Sequence, residues 1–335
     1  PFLAITGSNG KTTTKELVHA VLSTSYTTYT TSGNLNNHIG VPLTILGIRG
    51  DAQIAVIEMG ANHLGEIAFY CRIALPTHGL ITNCGKAHLE GFGSEEGVRK
   101  GKGELFDFLR ENGGTAFIMK DYDYLRSMSR GIPQIITYGT SEADVTGDII
   151  SADPFLSVTF TSGFNGIVNS HLVGTYNLPN VLAAVCAGKH FTVDDEKIRS
   201  AIASYLPSNS RSQLVEKGSN RIILDAYNAN PSSMKVAIEN FSKAEGANKI
   251  LVLGAMAELG ADSPAEHAAL VEQIRKTPWK EVILVGDDFK NVAGGFHHFK
   301  TSEDAGRWMK DRVRNAFLLV KGSRSMRMEK VLEFI

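Results

Sequence analysis

Short apolar runs alternate with segments of helical periodicity through the first 205 residues. The runs are rich in β-branched and aliphatic side chains, which predicts buried strands at 2–5, 26–31, 53–59, 78–82, 115–119 and 134–138. Between them, apolar side chains recur at helical spacing and predict helices at 11–25, 64–75, 94–112, 180–190 and 194–205. Residues 144–173 change to a period of two with turn signals, which predicts a small antiparallel patch beside a mainly parallel sheet.

A second α/β alternation follows residues 206–210, whose proline, serine and asparagine content is typical of a linker. The predicted strands are 221–226, 249–254, 281–286 and 316–320, and the predicted helices are 232–243, 264–276, 302–314 and 323–332. The pattern therefore predicts an α/β chain of two domains. A larger P-loop-type domain would occupy 1–208, and a smaller, open, Rossmann-like domain would occupy 209–335.

The segment between the first predicted strand and helix has the composition of a phosphate-binding loop. It reads Gly7-Ser8-Asn9-Gly10-Lys11-Thr12-Thr13. Only two residues separate its glycines, so it is a shortened variant of the usual P-loop. The N–H groups at the helix start suit a phosphate, Lys11 suits the β- and γ-phosphates, and the Thr12 hydroxyl suits Mg²⁺. The alternative is a glycine turn that only begins a helix.

Other polar side chains follow predicted strands. Glu58 ends a strand where a P-loop protein places a Mg²⁺-linked carboxylate, although a lone acid there is often merely solvated. Asn36, Asn37 and His38 lie in an amide-rich loop, which favours ligand contact over simple turn formation. His88 lies in a glycine-rich loop after another strand, and it fits a metal ligand and an ordinary loop histidine equally well.

Lys102 interrupts an apolar helical stripe. Val98, Leu105 and Leu109 recur at helical spacing on the predicted helix 94–112, and Lys102 falls between the first two of them. Such a lysine either extends its ammonium group to water or is kept for chemistry, because burial lowers its pKa and makes the amine reactive. The pattern alone favours the extended, solvated lysine.

Composition excludes several classes of protein. The chain has 335 residues and a net charge of −1, so nucleic acid is not an expected partner. Its scattered cysteines, Cys71, Cys84 and Cys186, predict neither a disulfide framework nor a zinc site. No apolar run has the length of a membrane span, and we expect a cytoplasmic protein without membrane insertion. The phosphate loop follows Pro1 almost at once, so we expect an N-terminal part to be missing.

Taken together, these motifs resemble the Mur ligase family, and within it the enzymes that join D-alanyl-D-alanine to UDP-N-acetylmuramoyl-tripeptide. The resemblance is spread over the chain. Its segments are Thr6-Gly7-Ser8-Asn9-Gly10-Lys11-Thr12-Thr13, Gly33-Asn34-Leu35-Asn36-Asn37-His38-Ile39-Gly40-Val41-Pro42-Leu43-Thr44, Glu58-Met59-Gly60-Ala61, Ala87-His88-Leu89-Glu90-Gly91-Phe92, Asp225-Ala226-Tyr227-Asn228-Ala229-Asn230-Pro231 and Lys321-Gly322-Ser323-Arg324. One departure is Tyr176, which stands where the family pattern has a histidine.

The resemblance implies a role for each matching residue. Thr12 and Glu58 would hold a first Mg²⁺ ion, and His88 with a carbamylated Lys102 would hold a second. ATP would be bound by the phosphate loop and by Asn180, Arg211, Asp225 and Asn228. The substrates would be contacted by Asn36, Asn37, His38, Lys321 and Arg324.

The resemblance also implies a reaction, ADP-forming amide ligation through an acyl phosphate, in the synthesis of peptidoglycan precursors. The central ATPase domain and the C-terminal domain would be present, the N-terminal UDP-sugar-binding domain would be absent, and the protein would be a monomer. Two alternatives stay open at this point. One is a ligase resembling folylpolyglutamate synthase, and the other is a nucleotide-binding module without ligase activity.

Overall fold

Two β-sheets, one in each half of the chain, carry the fold of this computed structural model, which describes residues 1–208 and 210–335. The first sheet has nine strands in the order β2-β3-β1-β4-β5-β6-β7-β8-β9. The strands are β1 (Phe2–Thr6), β2 (Thr28–Thr30), β3 (Ile54–Glu58), β4 (His78–Ile81), β5 (Thr115–Met119), β6 (Gln134–Gly139), β7 (Val145–Ser151), β8 (Ser157–Ser162) and β9 (Gly166–Asn169). All pairs from β2 to β7 are parallel, whereas β7, β8 and β9 are antiparallel. The predicted parallel sheet with an antiparallel patch is confirmed.

The helices of the first half cover this sheet. They are α1 (Lys11–Leu22), α2 (Gly40–Leu46), α3 (Glu66–Ala74), α4 (Leu89–Phe92), α5 (Glu95–Glu111), α6 (Asp123–Met128), α7 (Leu178–His190) and α8 (Asp195–Ser204). The short helices α2, α4 and α6 lie inside segments that had no predicted helix. α5 begins where the Ser94 side chain accepts a hydrogen bond from the Gly97 N–H, which caps its first turn.

The second sheet has six strands in the order β10-β11-β15-β12-β13-β14. The strands are β10 (Gln213–Lys217), β11 (Asn220–Asp225), β12 (Lys249–Gly254), β13 (Glu281–Val285), β14 (His297–Phe299) and β15 (Phe317–Lys321), and the helices are α9 (Pro231–Lys243), α10 (Ser263–Arg275) and α11 (Ser302–Met309). Only the β10–β11 pair is antiparallel. The unit is thus the smaller open α/β domain that the sequence predicts.

The end of the chain differs from the prediction. The helix expected at 323–332 is instead two 3₁₀ segments, Arg324–Met326 and Met328–Glu333. Arg327 separates them in a left-handed conformation (φ 47°), which an α-helix cannot accommodate. The helix expected at 302–314 ends at Met309.

The connection between the sheets runs from the end of α8 to the start of β10 and contains the predicted linker 206–210. Asn209 lies outside the described residues, so the boundary at 208/209 stays a prediction. In the described part of the chain, no helix has the length and apolar character needed to cross a bilayer.

Candidate active site

The phosphate loop is a tight turn that only glycine permits at two positions. Gly7 has φ 140° and Gly10 has φ 82°. A Cβ on Gly7 would lie 2.0 Å from Thr82 Oγ1, and one on Gly10 would lie 2.6 Å from Asn180 Oδ1. No side chain caps the start of α1, which leaves its first-turn N–H groups available to an anion. The start of α1 therefore has the free donors that an anion site needs.

Lys11 crosses this loop. Its Nζ donates to the carbonyl oxygens of Gly7 at 2.6 Å and Ser8 at 3.2 Å. Burial lowers the pKa of the Lys11 ammonium group, and the nearby Glu58 carboxylate opposes that shift. The loop carbonyls thereby hold the Lys11 amine at the mouth of the loop, beside the free N–H groups of α1.

Thr12 and Glu58 form an oxygen pair directly beside the loop. Thr12 Oγ1 donates to Glu58 Oε1 at 3.1 Å, and Asn36 Nδ2 donates to the same oxygen at 2.7 Å. Glu58 is only 1% exposed, and its second oxygen, Oε2, is buried without a hydrogen-bond partner. A buried carboxylate oxygen without a donor is costly unless a cation takes that place. The pair therefore fits a hard cation such as Mg²⁺.

Lys102 is buried on α5 and does not reach water. It is 0% exposed, its Nζ donates to the carbonyl of Ala61 at 2.7 Å, and the same nitrogen lies 5.0 Å from the centre of the Phe92 ring. The extended, solvated lysine favoured by the pattern alone is wrong. Burial, with a contribution from the charge of Lys11, lowers the pKa of Lys102 to about 7. A substantial fraction of this amine is therefore neutral near pH 7.

His88 lines the cleft from the loop between β4 and α4, in a left-handed conformation (φ 52°). Its Nδ1 lies 2.5 Å from an oxygen of Glu258, a residue of the second domain that is also left-handed (φ 61°). Contact with His88 lowers the pKa of Glu258. Within 1–208 and 210–335, no three His, Cys, Asp or Glu side chains form a metal cluster, so any metal near His88 needs ligands of other kinds.

Asn180 and Tyr176 line the cleft, and Asn180 lies directly against the phosphate loop. Asn180 accepts from Thr14 Oγ1 at 3.0 Å and donates to Asn177 Oδ1 at 2.8 Å. The Tyr176 hydroxyl lies 2.9 Å from Ser212 Oγ in the second domain, and burial raises the pKa of this tyrosine. Tyr176 therefore lines the cleft and joins the two domains.

The two predicted cations of the second domain each have their own carboxylate. Lys321 is 2% exposed, and its Nζ donates to Asp225 Oδ2 at 2.6 Å and to the Asn228 carbonyl at 3.1 Å. Arg324 is exposed and pairs with Glu329 at 3.1 Å. Lys321 thus fixes Asp225 at the cleft, whereas Arg324 is not among the lining residues.

Arg211 stacks on Tyr227. The guanidinium carbon lies 3.6 Å from the centre of the Tyr227 ring, and the buried Nε has no hydrogen-bond partner. The ring holds the flat guanidinium group in place, while its charge faces the same cleft as Lys11. Arg211 is therefore a second cation, besides Lys11, that the structure holds at the cleft.

A cleft of about 1210 Å³ between the two domains brings these groups together. Most of the residues predicted from the sequence line it: Ser8, Asn9, Gly10, Lys11, Thr12, Thr13, Asn36, Asn37, His38, Glu58, His88, Asn180, Arg211, Asp225, Asn228 and Lys321. Gly7, Lys102 and Arg324 are not lining residues. Asn37 also has a structural role, because its Oδ1 accepts from the N–H groups of Ile39 and Gly40 at the start of α2.

Known proteins match this chain over both domains. A family model described as the Mur ligase middle domain matches residues 5–188, and one described as Mur ligase, glutamate ligase domain, matches 210–324. The UDP-N-acetylmuramoyl-tripeptide–D-alanyl-D-alanine ligase of Bacillus subtilis (strain 168) is 34% identical over 348 residues, covering 99% of this chain and 75% of the relative.

Solved structures give the same result. A crystal structure of MurF from Acinetobacter baumannii has a TM-score of 0.90 at 31% identity, covering 99% of this chain and 75% of that one. The MurF ligase of Thermotoga maritima in complex with ADP has a TM-score of 0.87 at 29% identity, covering 99% and 78%. Folylpolyglutamate synthase of Thermotoga maritima, at 12% identity, a TM-score of 0.71 and coverage of 99% and 88%, shares the fold alone. With the phosphate loop, the two-domain cleft and these matches in agreement, the chain belongs to the Mur ligase family.

Proposed function

We propose that this chain catalyses the ATP-dependent joining of D-alanyl-D-alanine to UDP-N-acetylmuramoyl-tripeptide, in peptidoglycan precursor synthesis. The observation that carries the proposal is the oxygen pair of Thr12 and Glu58, with its unpartnered buried Oε2, placed beside the phosphate loop. The named activity of the Bacillus subtilis relative, over 99% of this chain, identifies the two substrates. A cytoplasmic location and a monomeric state belong to the same proposal.

In the first step, a carboxylate oxygen of the tripeptide attacks the γ-phosphorus of ATP, and ADP leaves with the electron pair of the broken bond. The chain contributes position and charge to this transfer. The loop N–H groups and Lys11 hold the phosphates, and Arg211 faces them from the second domain. Their positive charges offset the negative charge that spreads over the transferred group.

In the second step, the amine of D-alanyl-D-alanine attacks the acyl phosphate carbonyl. Inorganic phosphate leaves, and the amine loses a proton as the amide forms. Asp225, held by Lys321, and Asn180 would orient the nucleotide, while Asn36, Asn37 and His38 would contact the substrates. Sequestering the acyl phosphate in the cleft between the domains limits its hydrolysis by water.

Thr12 and Glu58 would hold one Mg²⁺ ion, and His88 with Lys102 would hold a second. When bound, these ions neutralise phosphate charge during the transfer. Within this pair, Glu58 Oε2 is the buried oxygen without a donor and would be the one to meet such an ion. Lys102 fits only after modification, because a lysine ammonium group repels a cation.

We extend the proposal to carbamylation of Lys102. The neutral amine attacks carbon dioxide, a C–N bond forms, and one proton is released to leave an anionic carbamate. Full burial and a pKa of about 7 favour the neutral amine that this addition needs. A carbon-13 spectrum recorded with labelled bicarbonate, Mg²⁺ and nucleotide should show a carbamate resonance that is absent from Lys102→Ala. A spectrum without that resonance would refute the modification.

The reaction is tested by measuring ADP release and product mass with each amine substrate. With UDP-N-acetylmuramoyl-tripeptide, ADP release should depend on D-alanyl-D-alanine, and the product mass should equal the sum of the two substrates less one water. Turnover with a folate and L-glutamate instead would favour the folylpolyglutamate alternative. ATP binding without product from either pair would identify a nucleotide-binding module.

A further inference from the structure

Asn9, at the tip of the phosphate loop, is held by its own domain through its main chain. Its N–H donates to Asn83 Oδ1 at 3.1 Å, and its carbonyl accepts from Thr82 Oγ1 at 2.6 Å and from Asn83 Nδ2 at 3.0 Å. The side-chain oxygen is used differently. Asn9 Oδ1 accepts at 2.8 Å from Asn230 Nδ2, which belongs to the second domain.

Asn230 has a second role at the start of α9. Its Oδ1 accepts from the Ser233 N–H at 2.9 Å, and its own N–H donates to Ser233 Oγ at 3.1 Å, which together form a capping box. The residue is 7% exposed. With its oxygen turned toward α9 and its nitrogen toward Asn9, the amide has a single orientation that satisfies both domains.

Ser232, the second residue of α9, approaches the same loop by a separate path. Ser232 Oγ accepts from the Lys86 N–H at 2.9 Å. The neighbouring Gly85 carbonyl accepts from Ser8 Oγ at 2.8 Å, and a Cβ on Gly85 would lie 2.8 Å from Ser232 Oγ. The start of α9 therefore contacts Asn9 directly, through Asn230, and Ser8 indirectly, through residues 85–86.

We propose that Asn230 is a positioning residue that holds the phosphate loop in its binding conformation through Asn9. The second domain thereby contributes to nucleotide binding without a direct contact to the nucleotide from this side chain. Because the Asn230–Asn9 hydrogen bond crosses the cleft, it exists only when the domains lie together. The inference rests on the proposed use of ATP.

The test separates the loop contact from the helix cap. Asn230→Ser keeps a good N-cap side chain without a charge but removes the amide donor that reaches Asn9. Asn230→Ala removes both. We expect Asn230→Ser to raise the dissociation constant of Mg²⁺ with a non-hydrolysable ATP analogue about tenfold, measured by calorimetry, with a thermal midpoint close to that of wild type. Asn230→Ala should weaken binding equally and also lower the thermal midpoint.

Two further measurements decide between positioning and a purely structural cap. Amide hydrogen exchange in residues 7–10 should accelerate in Asn230→Ser, while exchange in α9 stays as in wild type. In the Asn9→Ala background, which weakens binding by itself, adding Asn230→Ser should have no further effect. Wild-type affinity in Asn230→Ser, or an undiminished effect in the Asn9→Ala background, would overturn the inference. Failure of the wild-type chain to bind the analogue would instead count against the proposed function.

Discussion

The two sheets use the carboxyl ends of neighbouring parallel strands in different ways. In the first sheet, β1 and β3 end at Thr6 and Glu58, and each side chain carries a buried oxygen without a hydrogen-bond partner. In the second sheet, β11 and β15 end at Asp225 and Lys321, which stand opposite each other in the strand register and form an ion pair at 2.6 Å.

The difference indicates which strand ends bind a ligand and which hold another residue in position. A buried charge without a partner costs stability, and it persists where a ligand supplies the missing partner. The strand ends of the first sheet, where Glu58 Oε2 is buried without a partner, have this character. A buried pair such as Asp225 with Lys321 is complete in itself and holds a binding residue in place. The first domain is therefore expected to perform the reaction, and the second to position its components.

Lys11→Ala, in the first domain, should have the largest effect. Removing the loop cation is expected to reduce ATP turnover by at least about 10³-fold, because positive charge at the transferred phosphate is lost. The fold should persist, since Lys11 bonds only to carbonyls of its own loop. ADP release and circular dichroism measure the two outcomes, with the exposed Lys100→Ala as control. Turnover near the wild-type rate in a folded Lys11→Ala protein would reject the phosphate-loop assignment.

Neutralising one carboxylate at the strand ends of each sheet should change the free energy of unfolding by different amounts. Asp225→Asn leaves the Lys321 charge buried and unpaired, so the free energy of unfolding should fall by about 3 kcal/mol. Glu58→Gln should change the metal-free stability by less than about 1 kcal/mol, because an unpartnered carboxylate is removed.

The metal dependence of the same two variants completes this test. Glu58→Gln should abolish the Mn²⁺ signal of the nucleotide complex in electron paramagnetic resonance, whereas Asp225→Asn should retain a signal at saturating nucleotide. Equal losses of unfolding free energy in the two variants would contradict the distinction between the strand ends of the two sheets.

The pH dependence of stability should reveal the buried amine of Lys102. Its pKa falls from 10.5 to about 7 on folding, so between these values the unfolded chain binds the extra proton and stability rises with pH. Lys102→Met lacks this contribution. The stability of wild type relative to Lys102→Met should therefore rise by up to about 1.4 kcal/mol per pH unit between pH 7 and 10. Urea unfolding in carbonate-free buffer measures this, and exposed Lys100→Met should show no such slope.

Tyr227→Leu should have the smallest effect of the set. Loss of the ring under Arg211 is expected to raise the KM for ATP about fivefold, since a stacked guanidinium group is worth about 1 kcal/mol. Tyr227→Phe keeps the ring and should behave as wild type. An equal rise of the KM in both variants would show that the hydroxyl, and not the ring, holds Arg211.

Local periodicity predicted the central strands because each is a buried apolar run between turn signals. β10 and β14 were missed, since Gln213–Lys217 and His297–Phe299 are short edge strands with polar residues. The helix after the asparagine-rich loop, Gly40–Leu46, was also missed, because its 7 residues are too few to show a clear helical period. Tertiary pairing and packing define these elements, and neither leaves a strong periodic signal.

The sequence by itself predicted the phosphate loop and the two α/β units, because these depend on local order along the chain. Most of the candidate ligands were named through the resemblance to a family of similar sequences. Only the tertiary structure decided that Lys102 is buried against Ala61, that Glu258 reaches His88, and that Asn230 binds Asn9. Glu258 and Asn230 are far along the chain from their partners, and a side chain's burial depends on what packs over it. Local spacing contains no information on either.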